Sequence, residues 1–450
     1  MKLHKRTLSK GFWMCGWVQA MQSMAFYLTR SILLIFVTTA VAEGGLGMTS
    51  ASGAVLQADL MSFSYLGAMV GGLLVDRFIG ARYSTPIGMF IAGLGYYVGS
   101  AATDSKGLYL MIILVCFGLT LFKTTPMIGR LVEPKQMDEA FSVSYSLTNL
   151  GGLLGPLLAG FLYKDFFARN GVLGFAPCFR LAAVVMFCGT ALFLFGTRFM
   201  GDVGKLPFLK TKTKEELERE KSLEKSASEN SLVYTAAEKK RIGAIIMLSA
   251  FSVVFMIFYD LAFLPVYYHW SEAMNWVVGG YEIPLTWTES LDGVFCIILG
   301  NLMAAFWAKL AARPQGDISI YKKLAIALLL LGGGYVYNAL IEILRGDSRP
   351  SALYLVVFLL LLTMGEMFFA PMGYSFISKY SPSRCLGLMM GVWGAASFVA
   401  AKLYGYLYNF AFGGRFPFAY ACIAVAVIAA ICALVLFALD QKLSALVEQE

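Results

Sequence analysis

Charged residues are scarce in this chain. Asp, Glu, Lys and Arg make up 14% of its 450 residues, whereas soluble globular proteins carry about 25%. Histidine is nearly absent, and the two that occur, His4 and His269, are expected near membrane surfaces. The shortage of charge excludes an ordinary soluble fold, because most of the surface must face something other than water. The lack of further histidines excludes a histidine proton relay inside a membrane.

Motifs of the common enzyme classes are also missing. The eight cysteines show neither metal-ligand nor C-x-x-C spacing. The chain has no H-E-x-x-H or G-x-G-D motif of an intramembrane protease, and no phosphate-binding loop. We therefore expect a protein that is not an enzyme and that holds no metal or cofactor.

Long hydrophobic runs fill most of the sequence. A membrane-spanning helix needs roughly 20 apolar residues, and twelve such runs are present. They lie near residues 11–40, 52–75, 83–103, 107–128, 140–165, 175–197, 241–267, 286–310, 321–345, 352–378, 386–411 and 417–439. One long polar stretch divides them six and six. The sequence predicts an all-α integral membrane protein with an N-terminal six-helix bundle (1–198), a cytoplasmic linker (199–240) and a C-terminal six-helix bundle (241–450).

Basic residues are distributed unevenly between the loops. One side carries Lys2, Lys5, Arg6, Lys10, Arg77, Arg82, Arg130, Lys135, Lys309, Arg313, Lys322, Lys323, Lys379, Arg384 and Lys442, and eleven more from Arg198 to Arg241. The other side carries Lys106, Lys164, Arg169, Arg345, Arg349 and Arg415. Basic loops remain in the cytoplasm, so both termini are predicted to be cytoplasmic, in a cell membrane. This bias also explains the net charge of +8, which does not imply a nucleic-acid partner.

A short loop motif strengthens the prediction of two bundles. Asp76 and Arg77, followed by Gly80 and Arg82, fall in the turn between the second and third runs. Gly80 permits a tight turn, Asp76 is placed to cap the next helix, and the basic residues are placed to hold helix ends at a gate. At this position the motif favours the major facilitator fold, in which twelve helices form two six-helix bundles that move around a midplane site.

Ionisable residues inside the spans sort mainly by sign. The first half has Arg30 and Lys123, and the second half has Asp260, Asp292, Glu366 and Lys402. The first half therefore offers mainly cations, and the second half mainly anions. Charge at membrane depth is costly and usually functional. Two compatible readings follow: the groups form salt bridges that close the transporter, such as Arg30 with Asp260 and Lys123 with Glu366, or they bind the carboxylate and ammonium of a small zwitterionic solute.

The first span carries a polar face. Gln19, Gln22, Ser23, Tyr27 and Arg30 recur at spacings of three and four residues, which places them on one side of a helix. A polar face on an apolar helix should look into the bundle. Further candidate cavity residues are Tyr145, Asn149, Trp287 and Trp393.

Several motifs together resemble the proton-dependent oligopeptide transporter (POT) family. They are the stretch around Phe122-Lys123, the segment 141–160, and the stretch from Gly365-Glu366 to Trp393. The resemblance spans most of the chain and implies transport of di- or tripeptides. It implies that Lys123 faces the peptide carboxylate and Glu366 its ammonium. Further peptide-site positions implied by the resemblance are Arg30, Tyr27, Asn149 and Trp393.

Departures from the family pattern concern proton coupling. The E-x-x-E-R motif of the first span reads Gln19-Ala-Met-Gln22-Ser23, so both carboxylates and the arginine are lost. A glutamine side chain carries no titratable proton. Asp260 stands where the family has glutamate, and Asp292 where it has asparagine. Coupling is therefore predicted either through Asp260, Asp292 or Glu366, or not at all.

The sequence thus predicts a monomeric membrane transporter of small zwitterionic solutes, with peptide-like substrates and lipid as its partners. Two alternatives remain. The glycine-proline pattern at 151–160 also resembles that of drug–proton antiporters, which would indicate another metabolite or a drug as the solute. Loss of the proton motif would also fit a sensor that binds substrate without transporting it.

Overall fold

The chain forms two compact helical units in the computed structural model. The structure describes residues 8–133, 136–207, 235–311, 313, 318–369, 373, 376–377, 380–381 and 385–448. Contacts divide the chain into a first unit, Met1–Lys212, and a second unit, Thr213–Glu450. Residues 208–234 of the predicted linker lie outside the described part, so the linker boundaries remain a prediction.

The first unit contains six long helices and one short one within the described residues. They are α1 (Lys10–Thr38), α2 (Ser50–Phe78), α3 (Ala81–Gly99), α4 (Ser105–Leu121), the short α5 (Thr124–Leu131), α6 (Met137–Phe161) and α7 (Phe175–Gly196). A π-helical turn, Leu162–Phe166, extends α6, and 3-10 turns lie at Val41–Glu43 and Thr197–Phe199. Phe36 of α1 packs on Phe175 and Phe179 of α7 and closes one end of this core.

The second unit also contains six long helices in its described part. They are α8 (Ala236–Pro265), α9 (Trp287–Ala311), α10 (Ile320–Arg345), α11 (Leu355–Phe369), α12 (Leu386–Ala411) and α13 (Phe418–Glu448). A π-helical turn, Val266–Trp270, and the short helix Ser271–Ala273 follow α8, and a 3-10 turn at Ala352–Tyr354 precedes α11. A hairpin of β1 (Val277–Val278) and β2 (Tyr281–Glu282) connects α8 to α9, turning at two glycines with positive φ.

Short polar side chains begin several helices. Ser9 accepts a hydrogen bond from the amide of Phe12 at the start of α1, and Asp104 accepts one from Gly107 at the start of α4. Thr235 and Glu238 form a reciprocal capping box at α8. These caps satisfy amides that have no partner inside the helix. Apolar sequence and polar caps together fix where the helices start.

Glycines allow helices of the first unit to touch. A Cβ on Gly155 of α6 would lie 2.7 Å from two backbone atoms of α1, Met24 O and Leu28 N. Gly151 of α6 meets α1 in the same way, while Gly67 and Gly71 of α2 meet Thr120 of α4. These four glycines therefore let neighbouring helices approach closely, as small residues commonly do in membrane proteins. Gly152 instead has ordinary contact with a tyrosine ring, and the surroundings of Gly72 lie outside the described part.

The fourth span is not one helix. The apolar run 107–128 predicts one span, and Ser105–Leu131 meets the length and apolarity of a membrane-crossing segment, so the predicted span is confirmed. Within it, α4 ends at Leu121 and α5 begins at Thr124. Lys123 lies between them with a non-helical backbone (φ −138°, ψ 62°), and its amide donates to Thr85 Oγ1 of α3 at 3.2 Å. A hydroxyl of a neighbouring helix thus takes this amide from the helical ladder.

The predicted fold class is confirmed. The described residues hold twelve long helices, six in each unit, and nine candidate spans among them meet the length and apolarity required to cross a membrane. Surface aromatic and aliphatic side chains on these helices, such as Ile113 and Leu434, are more than half exposed. Such surfaces are stable only against lipid tails.

Candidate functional site

The polar face of α1 is bound to α6. Gln19 Oε1 accepts a hydrogen bond from Ser144 Oγ at 2.8 Å, and Ser23 Oγ donates to the carbonyl oxygen of Thr148 at 2.8 Å. Ser23 is buried, while Gln19 and Gln22 are half-buried. The positions that carry the proton motif in the POT family therefore form neutral hydrogen bonds in this chain. Neutral hydrogen bonds of this kind do not change with pH.

Arg30 lies about two turns beyond Ser23 on the same helix. Its guanidinium carbon is 5.6 Å from the centre of the Tyr27 ring, within range of a cation–π contact. Tyr27 in turn packs edge-on against Phe26. Asn149 of α6 is half-buried, as are Tyr27 and Arg30. The first unit thus holds a cation beside an aromatic ring on its polar face.

Lys123 lies at the break between α4 and α5. It is half-buried and occupies the residue before α5, whose first amides have no intrahelical partner. A discontinuous helix that presents a positive end and a lysine is suited to an anionic group. Of the cations that the sequence predicts inside the membrane, Arg30 on α1 and Lys123 at the α4–α5 break belong to the first unit, and Lys402 on α12 belongs to the second.

The second unit contains a cluster of two carboxylates. Tyr259 of α8 places its hydroxyl 2.8 Å from Glu366 Oε2 of α11 and 3.2 Å from Asp292 Oδ2 of α9. Thr363, one turn before Glu366, donates to Asp292 Oδ1 at 2.5 Å. Cys296 Sγ lies 3.5 Å from Glu366 Oε2. Three helices therefore bring together Asp292 and Glu366, two residues that the sequence marks as candidate site residues.

This acidic cluster is suited to protons and ammonium groups. Ligand atoms of Asp292, Cys296 and Glu366 lie within 4.8 Å of one another. The hydroxyls of Tyr259 and Thr363 already donate to the carboxylate oxygens that a metal ion would need. Two neighbouring carboxylates surrounded by apolar helices favour binding of positive charge. The cluster therefore favours positive charge within the second unit.

Other predicted site residues occupy varied positions. Asp260, next to Tyr259 on α8, and Trp287, at the start of α9, are half-buried, whereas Tyr145 on α6 is 64% exposed. Trp393 is buried, and its ring stacks on Phe369 at a centroid distance of 5.6 Å. The contacts of Trp393 are those of aromatic packing within the second unit. A role for it in binding remains a proposal.

The loop motif after α2 packs against the end of the first unit. Arg82 donates from Nη1 to the carbonyl oxygen of Gly201 at 2.6 Å and from Nη2 to that of Thr197. Gly80 has an ordinary negative φ of −64°, so the prediction that it allows a tight turn is wrong. It is glycine because a Cβ there would collide with the carbonyl oxygens of Gly204 and Lys205.

The other two residues of the motif are placed differently. Arg77 is exposed and lies 5.5 Å from the Phe78 ring. Asp76 belongs to the last turn of α2, and its side chain lies outside the described part, so the predicted cap remains a prediction. Of the motif, Arg82 is the residue that binds helix-end carbonyls.

Replacing Arg82 by lysine should destabilise the first unit. An ammonium cannot reproduce the two-pronged donation to Thr197 and Gly201, so we expect a loss of about 1–3 kcal/mol. The matched control is Arg77→Lys, which changes an exposed side chain and should leave thermal stability unchanged. Equal melting temperatures for the two purified variants would contradict this assignment.

Sequence patterns missed three contributors to the acidic cluster, Tyr259, Thr363 and Cys296. They also missed Asp59 of α2 in the first unit, which is buried and accepts a hydrogen bond from Tyr109 at 3.1 Å. Asp59 had a usable signal, since it is an aspartate inside an apolar run. The other three residue types occur commonly in membrane helices, so the pattern gives no reason to select them.

Comparison with known proteins identifies the class. The family model of the Major Facilitator Superfamily matches residues 19–401, and the chain belongs to that superfamily. It is a multi-pass membrane transporter and not an enzyme. The predicted membership of the POT family within this superfamily is also confirmed.

Individual relatives align over most of their length. The peptide transporter YePEPT of Yersinia enterocolitica is 26% identical, with 84% of this chain and 83% of the relative covered. A di-/tripeptide transporter of Lactococcus lactis subsp. cremoris is 24% identical, covering 83% of each chain. The crystal structure of a POT family transporter in complex with 5-aminolevulinic acid has a TM-score of 0.84, 20% identity and 97% coverage of both chains.

Proposed function

We propose that this protein transports small zwitterionic solutes, with di- and tripeptides as the leading substrate class, by alternating access. The observation that carries the proposal is the separation of charge: Arg30 and Lys123 in the first unit, Asp292 and Glu366 in the second. A zwitterion carries a carboxylate that suits the basic residues and an ammonium that suits the acidic ones. In this proposal, Arg30 and Lys123 bind the carboxylate, and Glu366 binds the ammonium. Tyr27 and Asn149 contribute to binding in the first unit, and Trp393 contributes in the second.

The relatives support this substrate class. Two of them are named as peptide transporters, one of these as a di-/tripeptide transporter. A third was crystallised with 5-aminolevulinic acid, which carries an amine and a carboxylic acid. Ligands with one group of each sign match the charges that this chain places inside its spans.

We further propose that proton coupling resides in the second unit. The neutral contacts of Gln19 and Ser23 leave no titratable group at the family's coupling motif in α1. The acidic cluster offers two carboxylates in contact with one phenol. Asp260 lies next to that phenol in the chain. Protonation of these acids would then replace the function of the missing motif.

Uptake into proteoliposomes tests both parts of the proposal. Purified protein should accumulate labelled di-alanine, and an inward proton gradient should increase the accumulation. One pH unit is worth about 1.4 kcal/mol per proton, or about tenfold at equilibrium. An ionophore that collapses the gradient is the control. Active uptake that ignores the gradient would identify a uniporter, whereas no uptake and no thermal stabilisation by any peptide would overturn the substrate class.

We propose a monomer in the cell membrane, with both termini in the cytoplasm. The distribution of Lys and Arg supports the orientation: in the first unit, Arg77, Arg82, Arg130 and Arg198 all lie in or next to the terminal turn of a helix, at ends that the sequence assigns to the side of the N-terminus. Labelling of single cysteines introduced near either terminus should occur only after the membrane is made permeable.

A further inference from the structure

The hydroxyl of Tyr259 lies within hydrogen-bonding distance of two carboxylates. Its oxygen is 2.8 Å from Glu366 Oε2 and 3.2 Å from Asp292 Oδ2. A phenol carries one hydrogen, so it cannot donate fully to both oxygens. If both carboxylates are ionised, one contact lacks a full hydrogen bond and two like charges stand close together. One additional proton on Asp292 or Glu366 supplies the missing hydrogen bond and removes the repulsion between the two charges.

The ring of Tyr259 is held in place by its neighbours on α8. Phe255 stacks on it with a centroid distance of 6.1 Å and an interplanar angle of 20°, and Phe263 packs against it at 5.8 Å and 73°. Aromatic contacts on both sides restrict rotation of the ring. The phenol oxygen is therefore fixed between the two acids and does not depend on a mobile side chain.

Among the described residues, two carboxylates lie within hydrogen-bonding distance of the phenol, Asp292 from α9 and Glu366 from α11. Cys296 of α9 lies beside Glu366, and Asp260 follows Tyr259 on α8. Thr363 occupies the other oxygen of Asp292, which leaves Oδ2 as the oxygen that meets Tyr259. Asp292, the phenol of Tyr259 and Glu366 thus form a continuous chain of hydrogen-bonding groups.

We propose that Tyr259 is a positioning residue through which Asp292 and Glu366 share one transported proton. This inference rests on the proposed function and specifies where its coupling lies. The carboxyl hydrogen of Asp292 passes to the phenol oxygen while the phenol hydrogen passes to Glu366 Oε2. Asp292 gains the negative charge, Glu366 loses it, and the phenol is neutral before and after. A protonated Glu366 no longer holds an ammonium group, so arrival of the proton favours release of the solute.

Tyr259→Phe tests this relay, and Tyr335→Phe is its matched control. Tyr335 is a fully buried tyrosine of the same unit whose hydroxyl donates to the carbonyl oxygen of Phe258 at 2.7 Å. Both substitutions delete one phenol hydroxyl from a helix contact, but only one of them touches the acids. Each protein is measured in peptide counterflow, which needs no net proton movement, and in uptake driven by a proton gradient.

The relay predicts a specific pair of results. The counterflow rate of Y259F should stay within about threefold of the wild-type rate. Its stimulation by the proton gradient should be about tenfold smaller than that of the wild-type protein, since one hydrogen bond to a charged group is removed. Y335F should retain the gradient response. Gradient stimulation of Y259F equal to that of the wild-type protein would overturn the inference.

A second variant covers the case in which Y259F does not fold. Asp292→Asn keeps the shape of the side chain but cannot release a proton, so the uptake that it retains should show no stimulation by the proton gradient. A normal response in this variant overturns the relay. Failure of the proposed function itself is recognised separately, because the wild-type protein would then show neither peptide counterflow nor a gradient effect.

Discussion

Replacing Glu366 by glutamine should reduce peptide uptake by about 10–100-fold. The substitution keeps the length of the side chain and a hydrogen-bonding oxygen near Tyr259, but it removes the negative charge that the proposal assigns to the ammonium. Hydrogen bonds to charged groups contribute about 1.5–3 kcal/mol, which gives this range. Initial rates of labelled di-alanine uptake at several concentrations measure the effect.

The second unit supplies a matched control for this substitution. Glu289 of α9 is also buried and also accepts a hydrogen bond from a tyrosine, Tyr267, at 2.8 Å. Glu289→Gln therefore changes the same chemical group in a similar contact outside the acidic cluster. We expect it to retain most of the uptake. Equal losses in both variants would show that the effect reflects disturbed packing and would contradict the role of Glu366.

Gly155→Ala should strongly destabilise the protein, although it adds only one methyl group. The added Cβ would lie 2.7 Å from Met24 O and Leu28 N of α1. Both are backbone atoms that can move only if α1 and α6 separate. Overpacking of this kind costs about 1–3 kcal/mol. A lower melting temperature and a lower yield of folded protein in detergent are the expected results.

Gly152→Ala is the control for this change on the same helix. A Cβ there would lie 3.5 Å from the ring of Tyr27, which is ordinary van der Waals contact. Its melting temperature should remain close to that of the wild-type protein. If both alanine variants were equally stable, the close approach of α1 and α6 at Gly155 would be refuted.

Hydropathy and charge predicted the fold and the members of the acidic cluster for a clear physical reason. Apolar runs of about 20 residues have few alternatives to a membrane span. A charge inside such a run is so costly that its presence alone marks a functional candidate. Arg30, Lys123, Asp292 and Glu366 were visible for that reason.

Features that depend on a second helix were not predictable in this way. The helix break at Lys123 depends on the hydroxyl of Thr85, far away in the sequence. The bridging position of Tyr259 depends on α9 and α11 meeting at one depth. Gly80 was selected correctly but for the wrong reason, because the loop that contacts it follows α7. Single-sequence patterns carry little information on such long-range contacts.

The central claim is that Lys123 and Glu366 recognise the two ends of a zwitterion. It is tested most directly by uptake of di-alanine, its N-acetyl derivative and its C-terminal amide by the wild-type protein, Lys123→Ala and Glu366→Gln. If a protein side chain and a solute group contact each other, removing either one loses the contact, and removing the second as well has no further effect on it. The account predicts that Glu366→Gln no longer discriminates against N-acetylation, and that Lys123→Ala no longer discriminates against the amide. Full discrimination against both derivatives by both variants would contradict it.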